Sequence, residues 1–323
     1  MKAIRATQAG GPNVLKLEDV PQPKPGPGEA LVRNHAAGVN FADIYYRNGS
    51  ARVPTPFPFT PGIEGAGVVE AVGEGVSEVK TGDRVAYAGG LGSYAEYQVM
   101  KGMQLAPLPA EMSFEHGAAV ILQGLTAHYL LHEFYPIKHG STVLVHAAAG
   151  GMGLLLVQWL KHMGAVAIGT VSAEAKAKSA REAGAAHVIN YTTQDFVEEA
   201  KKITGGKGVD YIIDGVGKTT FLKNLDALRH RGWATIYGMA SGPAEAVVPN
   251  SLMMKALTIS GGSLFNFITT REELLGRARD VFAGVREGWL KLHIDRTLPL
   301  AEASEAHRLL ESRQTTGKLI LKV

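Results

Sequence analysis

The 323-residue chain reads as an α/β protein: a β-rich domain joined to a doubly wound, parallel six-stranded sheet. Three observations carry this reading. A short apolar run at 142–146 breaks at glycines and resumes as a longer apolar segment, the order strand, tight turn, helix. From Ser141 onward, strand and helix patterns alternate at the spacing of right-handed crossovers. Before about Gln123, short β-branched or alternating runs are punctuated by Gly and Pro instead.

The N-terminal runs are 30–34, 67–72, 83–87 and 94–100. Residues 21–28, with four prolines, form a stiff extended connector, because each Pro lacks an N–H and fixes φ. Six strands follow at 142–146, 165–171, 187–191, 209–216, 233–237 and 257–260, with helices at 151–163, 174–183, 195–204 and 218–229. The tail holds helical stretches at 272–288 and 301–312 and a closing apolar run, 318–323. That last run reads as a strand returning to the first domain. The expected division is 1–123, 124–263 and 264–323, the third segment rejoining the first.

Composition narrows the function. Hydrophobic residues make up 46% and charged residues 20%, which is ordinary globular usage. The net charge of +3 is dispersed, with no run of five like charges, which argues against nucleic acid as the main partner. Cysteine is absent, which excludes disulfides, thiolate nucleophiles and cysteine-ligated zinc. The first residues lack an apolar stretch of signal-peptide length, and 143–157 is too short to span a bilayer, so a cytoplasmic protein without membrane contact is expected.

Ala148-x-Gly150-x-x-Gly153 is the dinucleotide fingerprint with its first glycine replaced by alanine. In strand–turn–helix context it presents helix N–H groups to a pyrophosphate. NAD enzymes place an acid at the tip of the second strand to hold the ribose 2′-hydroxyl. Here that tip is Ser172-Ala173, with Lys176 on the next helical turn and Tyr191 at the neighbouring strand end. A hydroxyl, an ammonium and a phenol suit a 2′-phosphate, so NADPH (NADP) is the expected cofactor. Glu174 dissents; its alternative reading is a helix N-terminal acid facing solvent.

The segments Gly38-Val-Asn-Phe-Ala-Asp43, Pro61-Gly-Ile-Glu-Gly-Ala-Gly-Val-Val69, Gly82-Asp-Arg-Val85, Gly124-Leu-Thr126 and His146-Ala-Ala-Ala-Gly-Gly-Met-Gly153 resemble the medium-chain dehydrogenase/reductase superfamily, specifically its zinc-free quinone oxidoreductase (zeta-crystallin-like) branch. The resemblance implies a GroES-like catalytic domain built from both chain ends, a central Rossmann domain, and a homodimer or higher homo-oligomer assembled through the Rossmann domains. Zinc-dependent relatives carry Gly-His-Glu where this chain has Gly62-Ile63-Glu64, so no metal site is expected. His128 and His132, spaced i, i+4, read as surface histidines without a third ligand.

The same resemblance puts Asn40, Tyr45 and Thr126 at positions lining the nicotinamide cleft. Asn40 would orient the nicotinamide or meet the substrate oxygen, and Tyr45 would cap the product oxyanion; otherwise Asn40 caps a helix while Tyr45 packs. Asp43 and Arg47 share that helix and could pair with each other. The cofactor set extends to Gly151 and Met152 at the pyrophosphate, Val216, Tyr237 and Gly238 after the fourth and fifth strands, Leu264 and Phe265 near the nicotinamide, and Lys318 at the cofactor's outer end.

A quinone accepts a hydride to give a phenolate whose conjugate acid has a pKa of about 10, like tyrosine's, so hydrogen-bond donors in a dry pocket suffice to stabilise it. The expected activity is therefore NADPH-dependent reduction of quinones or similar conjugated carbonyls. The alternatives are an enone or 2-alkenal reductase and, further off, a non-catalytic NADPH-binding, RNA-associated protein. Two patterns are set aside. Tyr97-x-x-x-Lys101 falls on a strand that separates its members by about 13 Å, and 204–208 resembles a phosphate loop but opens a strand.

Overall fold

The computed structural model describes residues 1–51, 53–312 and 314–323. Two compact units divide the chain: Met1–Leu125 with Ile268–Phe282 and Leu292–Val323, and Thr126–Phe267 with Ala283–Lys291. The division thus falls two residues after the expected first boundary, and a short piece of the tail belongs to the second unit.

The first unit holds β1 (Lys2–Ala6), β2 (Leu15–Asp19), β3 (Glu29–Val39), α1 (Phe41–Arg47), β4 (Glu64–Val72), β5 (Arg84–Ala88), β6 (Tyr97–Lys101) and β7 (Leu105–Pro107). Helix α2 (Phe114–His132) runs across the division. The second unit continues with β8 (Thr142–Val145), α3 (Gly151–His162), β9 (Val166–Val171), α4 (Glu174–Ala183), β10 (His187–Asn190), α5 (Phe196–Ile203), β11 (Val209–Asp214), α6 (Phe221–Ala227), β12 (Leu228–Ile236) and β13 (Thr258–Gly261). The tail adds α7 (Arg271–Arg286), β14 (Ile294–Pro299), α8 (Ala303–Glu311) and β15 (Lys318–Lys322).

The central sheet runs β10-β9-β8-β11-β12-β13, with every pairing parallel. Counted from its first strand this is the order 3-2-1-4-5-6 of a dinucleotide-binding sheet. Its inner strands are buried on both faces, which is why Val143–Val145 and Tyr211–Ile213 read as continuous apolar runs. Leu144, Ile168, Ile189, Ile212 and Ala234 meet Phe196, Leu228 and Phe221 in one core.

Helix α6 is shorter than the expected 218–229. Leu228 turns to extended backbone and opens β12, and Arg229 bonds Asp210 at 2.5 Å, so this stretch is spent on strand pairing. In the first unit β15 pairs antiparallel with β3, Leu319 opposite Val39, so the closing run returns to the N-terminal sheet as expected. Strands β2 and β14 each bury a single apolar residue, Leu15 and Leu298, too little to stand out in the sequence. No helix among the described residues is long and apolar enough to cross a membrane.

Candidate functional site

Strand β8 ends at Val145, and the chain turns through His146 and Ala147, the latter held at φ +52°, into Gly150, the N-cap of α3. A Cβ on Gly153 would lie 2.3 Å from the Ala147 carbonyl oxygen and 2.5 Å from the Ala148 Cα, so only glycine lets helix and strand approach this closely. Ala148 replaces the first fingerprint glycine because the neighbouring strand makes room: a Cβ on Gly169 would meet the Ala148 Cβ at 2.6 Å. The first turn, Gly151, Met152 and Gly153, leaves its N–H groups outside the helical ladder and holds no acidic side chain against the dipole. A pyrophosphate fits this cradle.

At the tip of β9 the partly exposed Ser172 follows Val171, whose carbonyl accepts from the Tyr191 N–H at 3.0 Å. Strand pairing thus brings Tyr191, 46% exposed, beside the Ser172 end of β9. Lys176, partly buried, sits in the first turn of α4. Glu174 bonds Arg181 at 2.7 Å with a largely exposed carboxylate, matching its solvent-facing reading.

The strand ends after β11 and β12 interlock. A Cβ on Gly215 would lie 2.6 Å from the Tyr237 hydroxyl, and one on Gly238 would lie 2.7 Å from the Gly215 carbonyl oxygen. Val216 therefore shares a glycine-walled edge with Tyr237 and Gly238. Beyond β13, Leu264 is buried and Phe265 exposed on a single 3-10 turn.

The first unit contains an arrangement that the sequence did not disclose. The Lys318 ammonium donates to Asn40 Oδ1 and to Glu64 Oε2, each at 2.6 Å, and Asn40 Nδ2 donates to the same Glu64 oxygen at 2.9 Å. The Leu122 N–H closes the other Glu64 oxygen at 2.7 Å. Lys318 and Glu64 side chains are 3% and 0% exposed. This corrects the expectation for Lys318, since a cofactor's outer end requires an exposed ammonium and this one is enclosed.

It also narrows Asn40. An ammonium must face the amide oxygen and a carboxylate the amide nitrogen, which fixes the amide's orientation. Both Nδ2 hydrogens are engaged, by Glu64 and by the Gly38 carbonyl at 3.3 Å, which leaves Oδ1 as the accepting atom, and Asn40 is also the N-cap of α1, as its alternative reading expects. Of the two roles expected, orienting a nicotinamide carboxamide by accepting its N–H agrees with this arrangement, and donation to a substrate oxygen does not.

Asp43 and Arg47 do not pair with each other. The Arg47 guanidinium holds Glu311 at 2.5 Å and donates to His307 Nδ1 at 3.1 Å. His307 therefore carries its proton on Nε2, toward the Tyr94 hydroxyl 3.1 Å away, and Tyr94 donates to Asp43 Oδ2 at 3.0 Å. Asp43 Oδ2 also accepts the Asn40 N–H at 2.9 Å, so the series ends on the backbone of the candidate residue. Burial and the nearby Arg47 push His307 down to about 3, which keeps the ring neutral.

Burial pushes Asp43 up to about 7, against the lowering pull of its Asn40 and Tyr94 bonds. Its folded value lies above the unfolded one, so the folded state holds the proton more tightly. The stability contribution is full below about pH 4 and is lost as pH rises through 7, with a slope approaching about 1.4 kcal/mol per pH unit. Asp43→Asn removes this dependence: between pH 5 and 7 the urea midpoint of the native protein falls relative to the variant's. Parallel profiles would contradict the assignment.

Thr126 is buried on α2, and Tyr45 is partly exposed on α1. His128 and His132 lie with ring centroids 4.6 Å apart at a tilt of 44°, both edge-on to Trp159. Tyr97 and Lys101 open and close β6, opposite Arg33 and Glu29. Gly205, Gly206 and Gly208 take positive φ in the turn before β11.

Comparison with known proteins agrees with this geometry. Residues 26–110 match the alcohol dehydrogenase GroES-like domain, and residues 151–279 match the family described as zinc-binding dehydrogenase. Quinone oxidoreductase 1 of Escherichia coli K12 is 43% identical over 97% of this chain and 96% of its own. A 2-haloacrylate reductase from a Burkholderia species is 42% identical over 97% and 96%. The crystal structure of Escherichia coli quinone oxidoreductase complexed with NADPH superposes with a TM-score of 0.97 at 42% identity, covering 100% of both chains. The fingerprint turn, the 3-2-1-4-5-6 sheet and the N-terminal unit closed by its own C-terminal strand thus have full-length counterparts, and the chain belongs to the medium-chain dehydrogenase/reductase superfamily, in its quinone oxidoreductase branch.

Proposed function

We propose that the protein is an NADPH-dependent quinone reductase. When bound, NADPH supplies a hydride from its nicotinamide ring. The backbone of Gly150, Gly151, Met152 and Gly153 would hold the pyrophosphate. Ser172, Lys176 and Tyr191 would hold the 2′-phosphate, and Val216, Tyr237, Gly238, Leu264 and Phe265 would follow the carboxyl edge of the sheet. Asn40 would accept the carboxamide N–H, while Tyr45 and Thr126 would donate to the acceptor oxygen.

One observation carries the choice of acceptor. The carboxylate of Gly62-Ile63-Glu64 is already paired with Lys318, so beside Asn40 this motif offers hydrogen bonds in place of a metal ligand. Such surroundings suit an acceptor whose reduced anion is intrinsically stable, as a quinone's is. NADPH oxidation should start on addition of p-benzoquinone and run slower with short alkenones. Faster turnover of alkenones would favour the second reading, an enone reductase, which the 2-haloacrylate reductase likeness supports.

The proposed homodimer rests on the second unit's sheet. Strand β13 is its outer strand, and the preceding segment exposes Val248, Met253 and Met254 by 67%, 72% and 86%. An outer strand beside exposed apolar side chains is a pairing surface. Sedimentation should give a dimer that Met254→Glu weakens; a monomer at micromolar concentration would refute the assignment.

A further inference from the structure

We infer that His146, Asn224 and Asp214 form a positioning relay that locks the pyrophosphate turn and the loops after the fourth and fifth strands into one cofactor-binding edge; the inference rests on the cofactor placement proposed above. None of the three side chains is placed on the cofactor. They sit behind the loops that are.

The bond directions are forced. His146 Nε2 lies 2.7 Å from Asn224 Oδ1, and Nδ1 lies 2.9 Å from the Thr170 hydroxyl on β9. Asn224 Nδ2 donates to Asp214 Oδ2 at 2.7 Å, which leaves its amide oxygen for the ring. His146 must therefore carry its proton on Nε2 and accept from Thr170 through Nδ1. Burial lowers its proton affinity, which keeps that neutral tautomer in place.

Asp214 distributes the connection. Its Oδ1 accepts the Val216 N–H at 2.7 Å and the Gly217 N–H at 3.1 Å, while Oδ2 also accepts the Thr220 hydroxyl at 2.7 Å. The Val216 carbonyl in turn accepts from Ser241, through its N–H at 2.9 Å and its hydroxyl at 2.8 Å. A continuous line of bonds thus runs from the residue before Ala147, across β9, α6 and β11, to the loop after β12. Exposure along it is 2% for His146, 1% for Thr170 and 0% for Asp214 and Asn224. Apolar side chains of similar volume would fill these places at lower desolvation cost, so what polar groups add here is a single fixed geometry.

The test compares His146→Leu, Asn224→Leu and the double variant, each shown folded by circular dichroism. Calorimetric Kd values for NADPH and for NADH, without acceptor, should both rise about tenfold in each single variant. The double variant should match the singles rather than multiply them, because one line of bonds is cut in both. His146→Gln, whose amide retains a donor at the Nε2 distance, should recover most of the affinity. In the cofactor-free protein, amide exchange at Val216 and Gly217 should quicken in both Leu variants.

Unchanged Kd values or unchanged exchange in a folded Leu variant would overturn the relay. Multiplying effects in the double variant would do the same. Lys176→Glu is the control for the underlying reading, since it should weaken NADPH alone. If Lys176→Glu behaves so while His146→Leu leaves both cofactors unaffected, the relay fails and the cofactor placement stands.

Discussion

Replacing Lys318 with Met should destabilise the first unit by about 3–5 kcal/mol, the cost of leaving one partner of a buried ion pair alone. Glu64 is fully buried, and without the ammonium its charge rests on hydrogen bonds from Asn40 and the Leu122 N–H. The urea midpoint of the first unit should fall accordingly. Glu64→Gln in the Lys318→Met background should restore most of it, because a neutral amide can still accept from Leu122. The restored protein should not regain full NADPH affinity, since the Asn40 amide, relieved of Lys318, turns its oxygen toward the new amide at position 64. A Lys318→Met variant with native stability would show that the pair is energetically idle.

Lys176→Glu should invert cofactor preference. A 2′-phosphate carries nearly two negative charges, and its contact with an ammonium is a charge-assisted bond. Exchanging that ammonium for a carboxylate replaces attraction with repulsion, so kcat/KM for NADPH should fall roughly a hundredfold while that for NADH stays within about threefold. Glu174 does not stand in for a ribose-binding acid, because it leans on Arg181 in solvent. An unchanged ratio between the two cofactors would remove Lys176 from the ribose site.

The parallel sheet was legible because its signals are local. Strands such as β8 and β11 are buried on both faces, and the fingerprint glycines are spaced by the turn they build. Even Ala148 in place of glycine was readable as a variant, although its reason, the room left by Gly169, lies on another strand.

The triad of Asn40, Glu64 and Lys318 was not legible. Lys318 lies 278 positions from Asn40 and 254 from Glu64, and a lysine at the start of an apolar strand reads as a solvated flank. Strand parity puts Leu319 and Leu321 in the core with Ala37 and Val39 and turns Lys318 to the opposite face, where Glu64 waits. The series Arg47, His307, Tyr94 and Asp43 was hidden in the same way. Arg47 and Asp43, on the same short helix α1, suggest an intrahelical pair, yet each has a better partner brought by the tertiary fold.

Acceptor choice separates the chemistries: a site whose Glu64 is held by Lys318 and whose donors only hydrogen-bond should reduce only acceptors that already tolerate the negative charge. NADPH consumption should be followed with p-benzoquinone and, separately, with cyclohexanone, a saturated ketone. Rapid turnover is expected with the quinone and none with the ketone. Turnover of cyclohexanone while the quinone leaves bound NADPH untouched would contradict that expectation.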